Sequence, residues 1–575
     1  MSLQALAFKS LSLSLILAAC CGLAAAQVAP SAQGTQTEAI LETLARAQSK
    51  TDAKEWGEAA ALWEKAVAAN PVNGSFWNNL AMAHYNAKDY RRAITAYEKV
   101  GALGDNSPAN IAYNIACSYA LLGEKEAALK WLEKSVDLGF ADLRHVQTDT
   151  DLNALHDDAR FKQLVGLVDT SKMSREEGWR HDLQLLAREV KRKAYATFHK
   201  SAATQFGAAV KKLHDSIPRL TDSQIIIEFA KLMRMVGDGH SGLMSPGARP
   251  EFALALPVQF YLFEEGLFII AADPKYKDLL GAQVLRFGDR TVEEVMRGLE
   301  PITNRDNDIW LKQVGPHRMR TTAILNALGL IPEAQQVTLT IRNSSGETRA
   351  VSLVADASAT NIWNVVPKTW ISLPQTASAP VPLYLKNVSA RYWFEYLPEA
   401  KTVYFQFNII RNDPNESLEK FSDRLFKFVN ENGVEKLVVD MRWNNGGNTT
   451  LLRPLIQGLV RNEKINKRGK LFVIIGRRTF SAAQNAATYI ERDTNATFVG
   501  EPTGSSPNFV GEEDSLTLPY SKVVINVSDL YWQSSSPFDH RTWIAPQIYT
   551  PPTFEAYRAN RDSALEVILA YRENR

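Results

Sequence analysis

The chain has 575 residues, 45% hydrophobic and 22% charged, a globular composition with room for roughly two to four domains. Its 65 basic and 63 acidic residues leave a net charge of +2. That balance excludes a global electrostatic case for nucleic acid or an anionic membrane surface.

The N-terminus reads as a targeting segment. Lys9 marks a short basic region, and Leu11 to Ala19 is an apolar run too short to span a bilayer. Two processing readings stay open. Ala24-Ala25-Ala26 before Gln27 fits signal-peptidase cleavage, making 1–26 the leader. Leu17-Ala18-Ala19-Cys20 resembles a bacterial lipobox, making 1–19 the leader and Cys20 a lipid-bearing residue. Either implies export, to the periplasm or beyond, with membrane contact only through a lipid on Cys20. Cleavage after Ala26 leaves Cys117 as the sole cysteine, so no intrachain disulfide could then form; Cys117 reads as a small core residue. No later stretch is apolar enough for a transmembrane helix.

Residues 27–38 are rich in Ala, Gln, Ser and Thr and read as a flexible leader. A repeat follows. Ala59, Ala93 and Ala127 are spaced by 34 residues, and so are Trp63, Tyr97 and Trp131. Each pair falls in an Ala-x3-aromatic helix: the small residue lets helices approach and the aromatic fills the space beside it. This period resembles tetratricopeptide repeats and implies a helical solenoid over 39–170, with 141–170 as its cap. Such a solenoid is either a surface for a protein partner or a spacer.

Residues 173–245 are expected to be helical, with starts near Trp179 and Asp222. Residues 250–360 carry short strands, including Gly266–Ala271 and Gln336–Ile341. Leu280 to Val295 has the strand-turn-helix look of a PDZ-like module. From about residue 400, strands at 403–408, 437–440, 471–476 and 498–500 alternate with helices at 417–430, 449–460 and 481–491. The fold class is therefore multidomain α + α/β, ending in a layered α/β core over 385–575. Sites in such cores gather at the carboxyl ends of strands.

Ser481 lies at such an end, where an apolar strand turns into a helix. Free helix amides and the positive helix end there can stabilise an oxyanion. The same residues read equally as a capping box, Ser481-Ala482-Ala483-Gln484. Upstream, Asp440 to Gly447 ends a strand in a glycine turn, where Asp440 and Asn444 fix the turn through side chain–backbone bonds. Gly237-Asp238-Gly239-His240 presents a histidine in a tight turn. Together these suggest a serine hydrolase. No metal or phosphate-loop motif is present, and no cofactor is expected.

These motifs resemble, in order, the tricorn/C-terminal-processing (tail-specific) serine peptidases. Asp440-Met441-Arg442-x-Asn444-x-Gly446-Gly447 resembles their signature, Thr479-Phe480-Ser481 their nucleophile turn, and Phe498 to Gly504 the strand and turn after it. Gly237 to His240 resembles the Asp-Gly-His segment of the tricorn-like branch. Trp543 to Pro546 resembles the closing stretch, with Gln547 in place of Asp. The likeness spans roughly residues 175–570 and implies a crotonase-like core acting on peptide or protein substrates. It implies Ser481 as nucleophile and His240 as general base, with Ala482 and either Gly446 or Gly447 supplying the oxyanion amides. No lysine occupies the window 500–508, against a Ser-Lys dyad. Asp539 is the first choice for the acid that orients His240; Glu501, Glu512 and Glu513 are alternatives. The rival expectation is a catalytically inactive scaffold that keeps the fold to bind peptides.

Overall fold

The computed structural model describes residues 32–140, 142–166, 168–194, 200–247, 249–357 and 366–572. The expected export segment and Cys20 lie outside them. The chain divides into two compact units, Met1–Val165 and Gly166–Arg575. No described helix is long and apolar enough to cross a membrane.

The first unit is a stack of antiparallel helix pairs: Ala32–Asp52 with Trp56–Ala69, Gly74–Asn86 with Tyr90–Leu103, and Pro108–Leu121 with Lys125–Asp137. The helix Ala32–Asp52 opens the first pair, so the expected leader is helical from Ala32 onward. Ala59 and Ala93 are fully buried at helix crossings, with Trp63 and Tyr97 packed beside them. The third repeat departs from the 34-residue reading. There Ala128, Leu129 and Leu132 are buried, whereas Ala127 and Trp131 are half-buried. Ala93, Ile94 and Tyr97 therefore recur at 35 residues, so one residue has entered the spacing. Lys134 instead lies over the Trp131 ring, its Nζ 4.1 Å from the centroid. Short helices Leu143–Thr148 and Ala159–Leu164 close the unit, burying Leu152, Leu155 and Phe161.

The second unit is built on a six-stranded sheet. Its order is Ile548–Tyr549, Thr497–Gly500, Leu471–Ile475, Lys436–Asp440, Thr402–Phe407 and Tyr392–Leu397. All neighbours are parallel except the last pair. Alternate side chains define two faces. Val403, Phe405, Leu437, Val439 and Val473 meet the helices Leu418–Glu431, Arg453–Arg461 and Ala482–Asp493. Tyr404, Val438, Phe472 and Ile474 meet the helix Ser563–Ala570. Covered on both faces, the strands read as continuous apolar runs.

Residues 258–354 contribute an antiparallel sheet around Val284, Phe287 and Leu339, with the helix Val292–Leu299 packed on it. Helices Arg175–Lys193 and Asp222–Arg234 each open on a capping box, Ser174 with Glu177 and Thr221 with Gln224. They pack on a third sheet made of Gly242–Ser245, Val524–Gln533 and Asn508–Thr517. Gly242 pairs with Asn526, so the turn carrying His240 is tied to a hairpin from the far end of the chain.

Candidate active site

Ser481 follows the strand Leu471–Ile475 and precedes the helix Ala482–Asp493, at φ 56° and ψ −130°. A non-glycine residue at such φ is strained, and strain of this kind concentrates at functional turns. Its side chain makes no capping bond. Gln484 is buried and directs Nε2 to Thr488 Oγ1 rather than back to the turn. The capping-box reading is therefore not realised.

The glycine turn is packed against this serine. A Cβ on Gly446 would lie 2.7 Å from Ser481 Cβ and 3.0 Å from the Ala482 nitrogen. Asn444, fully buried, fixes the turn: Nδ2 donates to the Phe407 carbonyl and Oδ1 accepts from the Gly446 amide. That bond occupies the Gly446 N–H. Among the described residues the amides of Ala482 and Gly447 donate to no acceptor. They are the pair left to face an oxyanion.

Asp440 and Arg442 brace the turn from beneath. Asp440 accepts from Tyr404 Oη at 2.7 Å and from Arg442 Nε at 3.0 Å. Arg442 makes a bidentate pair with Asp562 at 3.0 and 2.9 Å. Gln547, standing where Asp was expected, accepts the Phe498 amide at 2.6 Å and steadies the neighbouring strand.

His240 and Ser481 line one cavity of about 760 Å³. The imidazole is stacked between Phe480, at 4.6 Å, and Phe509, at 5.2 Å. Neither ring nitrogen has a hydrogen-bond partner. Burial lowers its pKa from 6.5 to about 4, offset in part by the nearby Val510 carbonyl. The ring is thus neutral at physiological pH, as a proton acceptor must be; the two flanking rings hold it, and no carboxylate reaches its nitrogens.

Its turn is held through the backbone. Asp238 accepts from the His240 amide at 2.8 Å, and Asp306 Oδ1 accepts from the Gly239 amide at 2.8 Å. Asp306 Oδ2 also takes the Ser505 hydroxyl, tying this turn to the segment after Gly500. Burial raises the Asp306 carboxyl to about 6.

The expected orienting acid is not brought to His240. Asp539 accepts from Arg541 Nε at 3.0 Å, from Arg541 Nη2 at 2.8 Å and from Ser535 Oγ at 2.7 Å. These donors hold its carboxyl far below the usual carboxylate range. Of the alternatives, Glu501 pairs with Arg477 at 2.8 and 2.9 Å. Glu512 and Glu513 border the His240 cavity but bond to neither ring nitrogen. Sequence reasoning missed Asp306, Phe509 and the Trp310 ring that stacks on Phe480 at 4.3 Å. No local signal marks them, because all reach the site through tertiary packing.

The second unit thus sets a serine in a strained strand-to-helix turn of a layered α/β fold. Comparison with solved structures bears this out at the level of the fold. Mature CPAF complexed with lactacystin matches at 13% identity and a TM-score of 0.50, covering 68% of this chain and 98% of that one. A serine-to-alanine mutant of CPAF matches at 12% identity and TM-score 0.50, covering 70% and 99%. The tricorn protease also aligns, at 14% identity over 70% of this chain and 37% of that one, with a TM-score of 0.34. The tetratricopeptide repeat family matches at residues 74–100 and 109–138, whose starts reproduce the 35-residue spacing. One curated relative, a chloroplastic protein of Arabidopsis thaliana, is 32% identical over 84 residues, or 14% of this chain. The chain spans about a quarter of that relative's length.

Proposed function

We propose that the second unit is a serine peptidase that cleaves peptide bonds through an acyl-enzyme on Ser481. The carrying observation is the Ser481 turn itself. Its hydroxyl caps nothing, the amides of Ala482 and Gly447 beside it are free, and it shares a cavity with a neutral histidine. In this reading His240 takes the serine proton during attack and returns it to the leaving amine. The tetrahedral oxyanion is received by the Ala482 and Gly447 amides. Ser481 and His240 are not hydrogen-bonded to each other, so substrate binding has to draw them together; catalytic hydrogen bonds commonly tighten only in the complex. The likeness to CPAF supports the fold beneath this reading, and the named residues support the chemistry. Cleavage within a chain rather than at its ends, export on the strength of the N-terminal apolar run, a lipid on Cys20, and a protein ligand for the repeats belong to the same proposal.

The test is labelling of the purified protein by a fluorophosphonate probe, beside Ser481→Ala and His240→Ala. Loss of labelling in both variants is expected. Equal labelling in the Ser481→Ala protein would refute the assignment. The unpartnered ring nitrogens of His240 favour one alternative, a peptide-binding platform without turnover, for which the folded wild type would not label at all.

A further inference from the structure

Two arginines stand side by side just before the candidate nucleophile, and they differ sharply. Arg477 is buried and fully paired, with both carboxylate oxygens of Glu501 and the Leu262 carbonyl as acceptors. Arg478 is equally buried, at 4% exposure. Yet its guanidinium makes no hydrogen bond or ion pair among the described residues. An unpaired buried cation is costly, and proteins retain buried charge where something pairs with it.

Arg478 borders a cavity of about 670 Å³. Lys312, Arg320 and Lys386 border it too, and no aspartate or glutamate does among the described residues. Arg320 is spent on the Leu256 and Val258 carbonyls, and Lys386 on Glu395. The cavity adjoins the Ser481 cavity, since Asn445 and His317 border both. A chain lying across Ser481 can therefore reach Arg478. Burial lowers the Arg478 pKa to about 10, which leaves it charged at neutral pH.

We propose that Arg478 anchors a carboxylate-binding subsite of the substrate cleft, receiving either the C-terminal carboxylate of the bound peptide or an acidic side chain near the scissile bond. The planar guanidinium fork matches a carboxylate in two parallel hydrogen bonds. This deepens the peptidase reading and rests on Ser481 marking the cleft.

The test measures binding to the full chain carrying Ser481→Ala, so that no probe is consumed. Three probes are titrated by saturation-transfer NMR: N-acetyl-tetraalanine as free acid, the same peptide as amide, and an amide version with one alanine replaced by glutamate. At least one carboxylate probe is expected to bind at least about tenfold more tightly than the neutral amide. Preference for the free acid identifies the chain terminus as the source, and preference for the glutamate peptide identifies a side chain. Adding Arg478→Gln should erase the preference, and Arg478→Lys should keep part of it. The proposal is overturned if neither carboxylate probe outbinds the neutral one, or if the preference survives Arg478→Gln. Should Arg478→Gln fail to fold, the probe comparison and Arg478→Lys still decide. Fluorophosphonate labelling of the native protein separates the two readings. Arg478-dependent binding without labelling removes the peptidase and leaves the subsite. Labelling without carboxylate preference removes the subsite alone.

Discussion

Replacing Gly446 by alanine should disable Ser481 without touching it chemically. Gly446 sits at φ 115°, a region that L side chains rarely adopt, which costs about 1–3 kcal/mol. The added methyl would meet Ser481 Cβ at 2.7 Å, the Ala482 nitrogen at 3.0 Å and the Phe480 carbonyl oxygen at 3.1 Å. Two of these three atoms are backbone, so a rotamer change cannot relieve the overlap. Nor can the turn withdraw easily, because the Gly446 amide is held by Asn444 and its carbonyl by the Ile410 amide. Ser481 Cβ must retreat by about 0.7 Å to reach ordinary contact. A misplacement of about 1 Å costs on the order of 10²-fold in rate. The fluorophosphonate labelling rate of Gly446→Ala should therefore fall by roughly that factor, with a thermal midpoint a few degrees lower. Gly433→Ala is the control, since its methyl would meet nothing nearer than Tyr396 Oη at 3.9 Å. A folded Gly446→Ala protein that labels at the wild-type rate would refute the packing argument.

Three further outcomes follow from the same geometry. His240 is depressed to about 4 by burial between two rings, so labelling should persist in acid until pH falls through that value; Phe509→Ala, which admits water, should move the acid limb up toward 6.5. Asp562→Ala removes the bidentate partner of Arg442, which then keeps only Asp440, and the acceptor of the Leu565 amide; it should cost about 2–3 kcal/mol in urea unfolding. For Asp306 the folded carboxyl is raised from 3.8 to about 6, so its stabilising contribution is full below 3.8 and lost as pH rises through about 6. Asp306→Asn should flatten that part of the stability–pH curve in calorimetry; an unchanged curve would show that the carboxyl is not the titrating group.

What could be read from the sequence was what lies along the chain. The four buried strands of the central sheet were visible as short apolar runs, because each is covered on both faces, and their ends fall within a residue or two of the expected ones. Ser481 was visible because a strand runs into a helix there. Its two readings were separable only by backbone angles, since at φ 56° the hydroxyl forms none of the bonds of an ordinary cap. The 34-residue count slipped by one in the third repeat because Ala127 and Trp131 imitate a pattern whose buried face has moved to Ala128 and Leu132. Asp539 stands in the closing segment that the resemblance marks, yet its partner is two residues away: in Asp-x-Arg, Arg541 Nε donates to it. The partners of His240 are of the other kind. Phe480 comes from the nucleophile turn, Phe509 from the late hairpin and Asp306 from a loop before Trp310. Each reaches the site through a contact of long sequence separation, which no local pattern encodes. The same logic explains the choice between two adjacent glycines. Spacing treats Gly446 and Gly447 alike, but Asn444 takes the amide of the first. The residue that shapes the turn therefore also decides which N–H remains for chemistry, so changing Asn444 should alter the oxyanion donors as well as the fold.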